Sequence, residues 1–156
     1  MRLHAAPIRW FSNDFRVTAD GREICCLDFA ALRTRGHFEV DGVRYDVTAE
    51  GIVPQRLKLE RDGRMLAEAA RDGVFTNAYT VRAEDRTLTL RGSLMRRPFD
   101  VSHGDLRIGA IRPVRFFGRS AIAEFTAPLP LHLQVFLLAV TLLVWRKRAR
   151  AESSSG

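Results

Sequence analysis

Residues 129–145 read LPLHLQVFLLAVTLLVW, and the fold turns on where that stretch goes. Leu129, Leu131, Leu133, Val135, Phe136, Leu137, Leu138, Val140, Leu142, Leu143, Val144 and Trp145 make a helix here apolar all round. A helix with no wet face belongs in a protein core or in a bilayer. Length favours the core: the 17 residues rise about 25 Å, and Val135–Trp145 only about 16 Å, against a hydrocarbon layer of about 30 Å. His132 and Gln134 would also enter lipid near one end. Topology points the same way, because the basic tail Arg146–Arg150 satisfies the positive-inside rule only if everything before it is translocated. Met1–Phe15, with Arg2, Arg9 and Asp14 among scattered apolar residues, offers no signal-peptide core for that. The opposite orientation drags four basic residues across. In a core, Pro128 and Pro130 bracket a helix start, and the basic cluster meets the negative end of the helix dipole. A single membrane span over 129–145 is the alternative.

What surrounds the helix is legible upstream. Asp20-Gly21, Asp41-Gly42 and Asp62-Gly63 recur 21 residues apart, each between segments of alternating polarity. Asp-Gly suits the primed two-residue hairpin turns, whose central residues take positive φ. Phe38 and Val40 precede the second turn, and Val43, Tyr45 and Val47 follow it. Leu57 and Leu59 precede the third, with Met65, Ala67 and Ala69 after. Val81 and Ala83, a turn near Glu84-Asp85, and Leu88 and Leu90 continue the pattern. Phe99 and Val101, a turn at His103-Gly104-Asp105, and Leu106, Ile108 and Ala110 complete it. Five hairpins give about ten strands, and Phe116, Phe117 and Ala121–Phe125 add one or two more. Strands with one buried and one wet face, joined as successive hairpins, close into a barrel or split into a sandwich.

A mainly β, closed antiparallel barrel of ten to twelve strands is the expectation. An eight-stranded barrel is filled by its own side chains, whereas a helix about 10 Å across needs a wider ring. Burying the twelve apolar side chains of the helix is worth on the order of 20 to 35 kcal/mol gross, before conformational entropy. Residues 1–14 read as an N-terminal extension, 15–148 as the barrel domain with its central helix over 129–146, and 149–156 as a disordered tail.

The order of parts resembles the tubby C-terminal-like superfamily, which includes the plant LURP-one-related proteins and the phospholipid scramblases. The resemblance lies in the run of hairpins with Asp-Gly turns and the late strand Leu106-Arg107-Ile108-Gly109-Ala110-Ile111. A wholly apolar C-terminal helix ending in Trp145-Arg146-Lys147-Arg148 completes it. It covers about Phe15 to Arg148 and is one of pattern, without a diagnostic motif. It implies a barrel threaded by its C-terminal helix, and a non-catalytic scaffold with anionic phospholipid headgroups as the ligand best known in the tubby branch. No stretch matches the tubby phosphoinositide pocket closely enough to carry residues across, and no acidic cluster resembles the scramblase calcium segment.

Charge narrows the partners. The formal net charge is +7, of which Arg146, Lys147, Arg148 and Arg150, less Glu152, place +3 in the last eleven residues. The body is left with about +4, weak grounds for nucleic acid binding. Phe116 and Phe117 between Arg115 and Arg119 are the one cluster suited to base stacking. The basic groups suit an anion instead: Arg56 and Lys58 share a strand face, Arg61 and Arg64 flank the next turn, and Arg96 and Arg97 are adjacent. Arg112, Arg115 and Arg119 punctuate a late segment. Two such groups brought together would hold a phosphate headgroup, with Glu60, Asp62 and Glu68 nearby to neutralise them otherwise.

No catalytic or metal constellation stands out. His4, His37, His103 and His132 are scattered without Cys, Asp or Glu at ligand or triad spacing, so no cofactor and no enzymatic activity are expected. His103 reads as a solvated turn residue, His132 as a histidine at the barrel mouth, and Tyr45 as core. Cys25 and Cys26 are adjacent, so in a strand one faces the core and the other the surface. The chain reads as cytoplasmic and peripheral to the inner face of the membrane.

Overall fold

At the three repeated turns the backbone does what Asp-Gly permits. Asp20, Asp41 and Asp62 take φ of 51°, 51° and 50°, and Gly21, Gly42 and Gly63 take 77°, 76° and 78°. Two consecutive left-handed residues make a type I′ turn, whose twist matches that of the flanking strands. At the fourth site only Gly104 is left-handed, with φ 61°, as the first central residue of a type II′ turn requires.

The computed structural model of the chain describes residues 1–9, 14–28, 35–51, 55–73, 77–92, 98–115 and 119–155, with side chains described as far as Arg146. These form twelve strands and one helix: β1 (Arg2–Pro7), β2 (Asp14–Ala19), β3 (Arg22–Asp28), β4 (Arg35–Val40), β5 (Val43–Glu50), β6 (Arg56–Arg61), β7 (Arg64–Arg71), β8 (Ala78–Ala83), β9 (Thr87–Gly92), β10 (Phe99–His103), β11 (Leu106–Pro113), β12 (Ala121–Phe125) and α1 (Leu131–Ser155). Each strand pairs antiparallel with its sequence neighbours, and β1 closes the ring against β12 through Arg2↔Glu124 to Ala5↔Ala121. The barrel is therefore a closed twelve-stranded meander with no free sheet edge.

Helix α1 fills it. From Leu133 to Trp145 every side chain is buried, and Val135 to Thr141 are 0% exposed. These residues form one apolar cluster with the inward side chains of the strands, among them Leu3, Val17, Leu27, Phe38, Leu59, Val81, Leu90 and Ile111. Both polar residues on this stretch donate to local carbonyls, while Gln134 Oε1 is buried without a hydrogen-bond partner. Thr141 Oγ1 donates to the Leu137 carbonyl at 3.0 Å, and Gln134 Nε2 donates to the Leu129 carbonyl at 2.9 Å. Among the described residues, no helix is long and apolar enough to cross a membrane.

Three features differ from the sequence reading. Arg2–Pro7, set apart as part of an N-terminal extension, is β1, with Leu3 and Ala5 fully buried. The ring needs it, since without β1 the strands β2 and β12 would both be open edges. At the other end α1 continues to Ser155, beyond the expected stop at 146 and through the stretch read as a disordered tail. The basic cluster consequently lies before the last helical turn, which holds no basic residue, and does not cap the dipole.

The third difference concerns faces. Met65 and Leu106, expected inward by alternation, are 50% and 68% exposed. The ladder slips by one residue at Leu59/Glu60 and at Val101/Ser102, leaving Leu66 and Ile108 as the extra residues of β-bulges. In β7 the bulge inverts the parity between itself and the turn and puts Met65 outward opposite Glu60; in β11 it turns Ala110 outward opposite Asp100, whereas Leu106, across from His103, is exposed because it borders the turn. β2 and β3 slip in the same way at Val17/Thr18. In β11 the bulge brings Gly109 inward against β12, where an added methyl group would sit 2.7 Å from the Glu124 carbonyl oxygen and the Phe125 ring.

Candidate functional site

A lumen packed with side chains leaves ligands only the outer wall and the two ends. On the wall, outward-facing strand residues are charged, and register decides what each one meets. Nine ion pairs of 2.7 to 4.0 Å are described, including Arg2 with Glu124, Arg16 with Glu23, Arg86 with Asp85 and Arg107 with Asp100. Exposed pairs add little stability, but each spends a cation on a neighbour.

This pairing takes up three of the four candidate anion-binding residues that are described. Arg56 contacts Glu68 at 3.3 Å, Arg61 lies 4.0 Å from Asp62, and Arg64 contacts Glu84 at 2.8 Å. Lys58 stands across the ladders from Thr48 on β5 and from Glu68 on β7. Arg56 and Arg61 occupy opposite ends of β6, about 17 Å apart along the strand. The four residues thus form a strip of local pairs and do not converge on one point. Arg96, Arg97, Phe116 and Phe117 lie outside the described residues.

The unbalanced charge is at the ends. In a meander, connections alternate between the two ends of the barrel. The five that lead from an even to an odd strand are the short turns, and they hold six carboxylates, Asp20, Asp41, Asp62, Glu84, Asp85 and Asp105, against Arg86 alone. The six that lead from an odd to an even strand span 8–13, 29–34, 51–55, 72–77, 93–98 and 114–120. By sequence these hold six arginines, Arg9, Arg33, Arg96, Arg97, Arg115 and Arg119, against Asp72 alone. The described members of that set are Arg9, Asp72, Arg115 and Arg119. The connections at one end therefore carry a net −5 and those at the other, by sequence, a net +5, a partition hidden in the modest overall balance and softened by the flanking Arg61 and Arg64 at the first end and Asp14 and Asp28 at the second. Asp14 and Asp28 face each other across the β2–β3 ladder at the basic end. Burial, then Asp28 itself, pushes the Asp14 carboxyl above its usual range. Nearby, the Arg119 guanidinium stacks 5.4 Å from the centroid of the Phe15 ring.

Helix α1 enters at the acidic end. There Pro130, His132 and Leu133 meet Leu66, Ala83 and Glu84 around a cleft of about 250 Å³. The imidazole of His132 stacks on Tyr45 at 5.1 Å, and Tyr45 stacks on Phe38 at 5.2 Å. Carboxylates on its rim make this cleft unsuited to anions. Burial holds the His132 pKa below its ordinary value, opposed by Glu84 and assisted by Arg61. A histidine whose folded pKa is lowered binds fewer protons folded than unfolded, so its contribution falls as pH drops below about 6.5, the unfolded value. The melting temperature is expected to decrease from pH 7.5 to pH 5, and by less in H132N. Equal decreases in both proteins would remove His132 as a cause.

Cys25 is buried and Cys26 exposed, both as free thiols, as their alternation requires. Burial, with Cys26 and Glu23 nearby, pushes the Cys25 thiol up to about 12, so it packs as an inert core residue. Cys26 donates to Glu23 Oε1 at 3.4 Å, and partial burial with this acidic neighbour raises its pKa too, which disfavours the nucleophilic thiolate. Among the described residues no group of three His, Cys, Asp or Glu side chains is placed to hold a metal ion. Comparison with protein-family models, with curated proteins and with solved structures finds no match to the chain.

Proposed function

We propose that this chain is a tubby-like barrel that acts as a non-enzymatic scaffold, binding anionic phospholipid headgroups or another phosphate-bearing ligand at a membrane surface. The opposite charging of the two barrel ends carries this reading. An end with six arginines and one carboxylate in its connections attracts phosphate, and the acidic end repels it, so the molecule approaches an anionic surface in one orientation. The filled lumen supports a surface ligand over an enclosed one. A place at the inner face of the membrane follows from the same charge, since anionic lipids concentrate in the cytoplasmic leaflet.

Flotation of the purified full chain with vesicles tests this. At low salt the protein floats with phosphatidylserine-containing vesicles and stays behind with pure phosphatidylcholine, and added salt releases it. Equal behaviour with both vesicle types would sink the proposal.

A further inference from the structure

The barrel ends differ in apolar content as well as in charge. None of the five short turns contains a large apolar residue. Each of the six longer connections contains, by sequence, at least two, from Ile8, Trp10 and Phe11 in the first to Val114, Phe116 and Phe117 in the last. Most of these residues lie outside the described set, but Ile8 and Val114 are described and are 43% and 39% exposed. Each is followed by an exposed arginine, Arg9 and Arg115. The backbone at both places is anchored, with Ile8 N donating to the Asp14 carbonyl at 2.9 Å and Val114 N to the Ser120 carbonyl at 3.0 Å. β1 and β11 flank β12, so both pairs sit in one sector of the rim.

Large apolar residues exposed beside arginines suit one kind of surface. A soluble phosphate needs only the charge, and a nucleic acid needs stacking rings where Ile8 and Val114 offer aliphatic carbon. A bilayer interface uses both, taking apolar side chains at the acyl boundary while guanidinium groups stay level with the phosphates. Helix α1, which enters at the acidic end, runs through the lumen towards this rim, and its next residues in sequence are Arg146, Lys147, Arg148 and Arg150. Resting on the lipid reading above, we propose that the barrel meets an anionic bilayer end-on. The rim sector that presents Ile8, Arg9, Val114 and Arg115 lies against the lipid and the carboxylate-bearing turns face away.

The full chain tests this with paired variants, all on the outer surface. I8S/V114S and R9Q/R115Q alter the rim, K58Q/R82Q alters the wall at the level of Glu68, and M65S/L106S removes exposed apolar residues near the acidic end. On phosphatidylserine-containing vesicles, R9Q/R115Q is expected to weaken binding about 25-fold, roughly fivefold per arginine. I8S/V114S weakens it at least as much, and the other two pairs keep parental affinity. An environment-sensitive fluorophore on V114C, in a C26S background, shifts to the blue with vesicles, and the same probe on L106C does not. Loss of binding in K58Q/R82Q with retention in both rim variants would overturn end-on docking while leaving lipid binding intact. Unchanged affinity in I8S/V114S, with binding competed away by a soluble inositol phosphate, would reduce the contact to a headgroup and also overturn it. If the parent ignores vesicles, the lipid reading falls first, and retention of single-stranded RNA by the parent would assign the basic rim to nucleic acid.

Discussion

A chain ending at Pro128 is expected not to form the barrel. The buried part of α1, Leu133–Trp145, is a cylinder about 10 Å wide and about 20 Å long, so removing it leaves about 1,500 Å³ of lumen. At the cost measured for cavities in protein cores, that volume is worth on the order of 35 kcal/mol. Gross burial of the helix side chains gives a similar figure from the opposite direction. Domains of this size are stable by only about 5–15 kcal/mol, so no rearrangement short of collapse absorbs the loss. Amide spectra of the truncated chain should lack dispersion, and its melt should lack a cooperative transition. A dispersed spectrum with a sharp melt would mean that the strands hold their own core and that the helix is an appendage.

Substitution of Phe136 by alanine should be the most damaging single truncation of an apolar side chain in the helix. The ring is 0% exposed inside the lumen, surrounded by strands that pair with both neighbours and cannot close in on a void. Phe to Ala in such a site costs about 3–5 kcal/mol, which lowers the melting temperature of a chain this long by about 6–20 °C. F136L should recover more than half of that. Cutting the exposed Arg2–Glu124 pair with R2A should move the melt little, as surface pairs contribute about 0–1 kcal/mol. Comparable shifts for F136A and R2A would place Phe136 outside the core.

How much of this was legible in the sequence depends on whether a feature leaves a local chemical trace. Asp-Gly pairs do, because positive φ at both turn centres demands those residue types, and the hairpins follow from them. The all-apolar helix does as well. β1 does not, because its connection to β2 is one of the long ones and carries no turn signature; only the alternation of Leu3 and Ala5 marked it. The bulges at Leu66 and Ile108 are silent too, since inserting one residue changes parity and not composition, which is why simple alternation points Met65 and Ala110 inward. For the site, the neutralising residues around β6 were visible as neighbours, but only cross-strand register puts Glu68 on Arg56 and Glu84 on Arg64. The charge partition between the ends was present in the sequence throughout. It becomes readable once strand order assigns every connection to an end.

The central position of α1 is tested most directly by native-state hydrogen exchange in buffer free of detergent and lipid. Amides from Val135 to Thr141 should exchange only through global unfolding, with protection equal to that of Leu59 on β6 and Val81 on β8. Exchange of the helix amides well ahead of those strands, or protection that arises only when vesicles are added, would contradict a helix enclosed by the barrel.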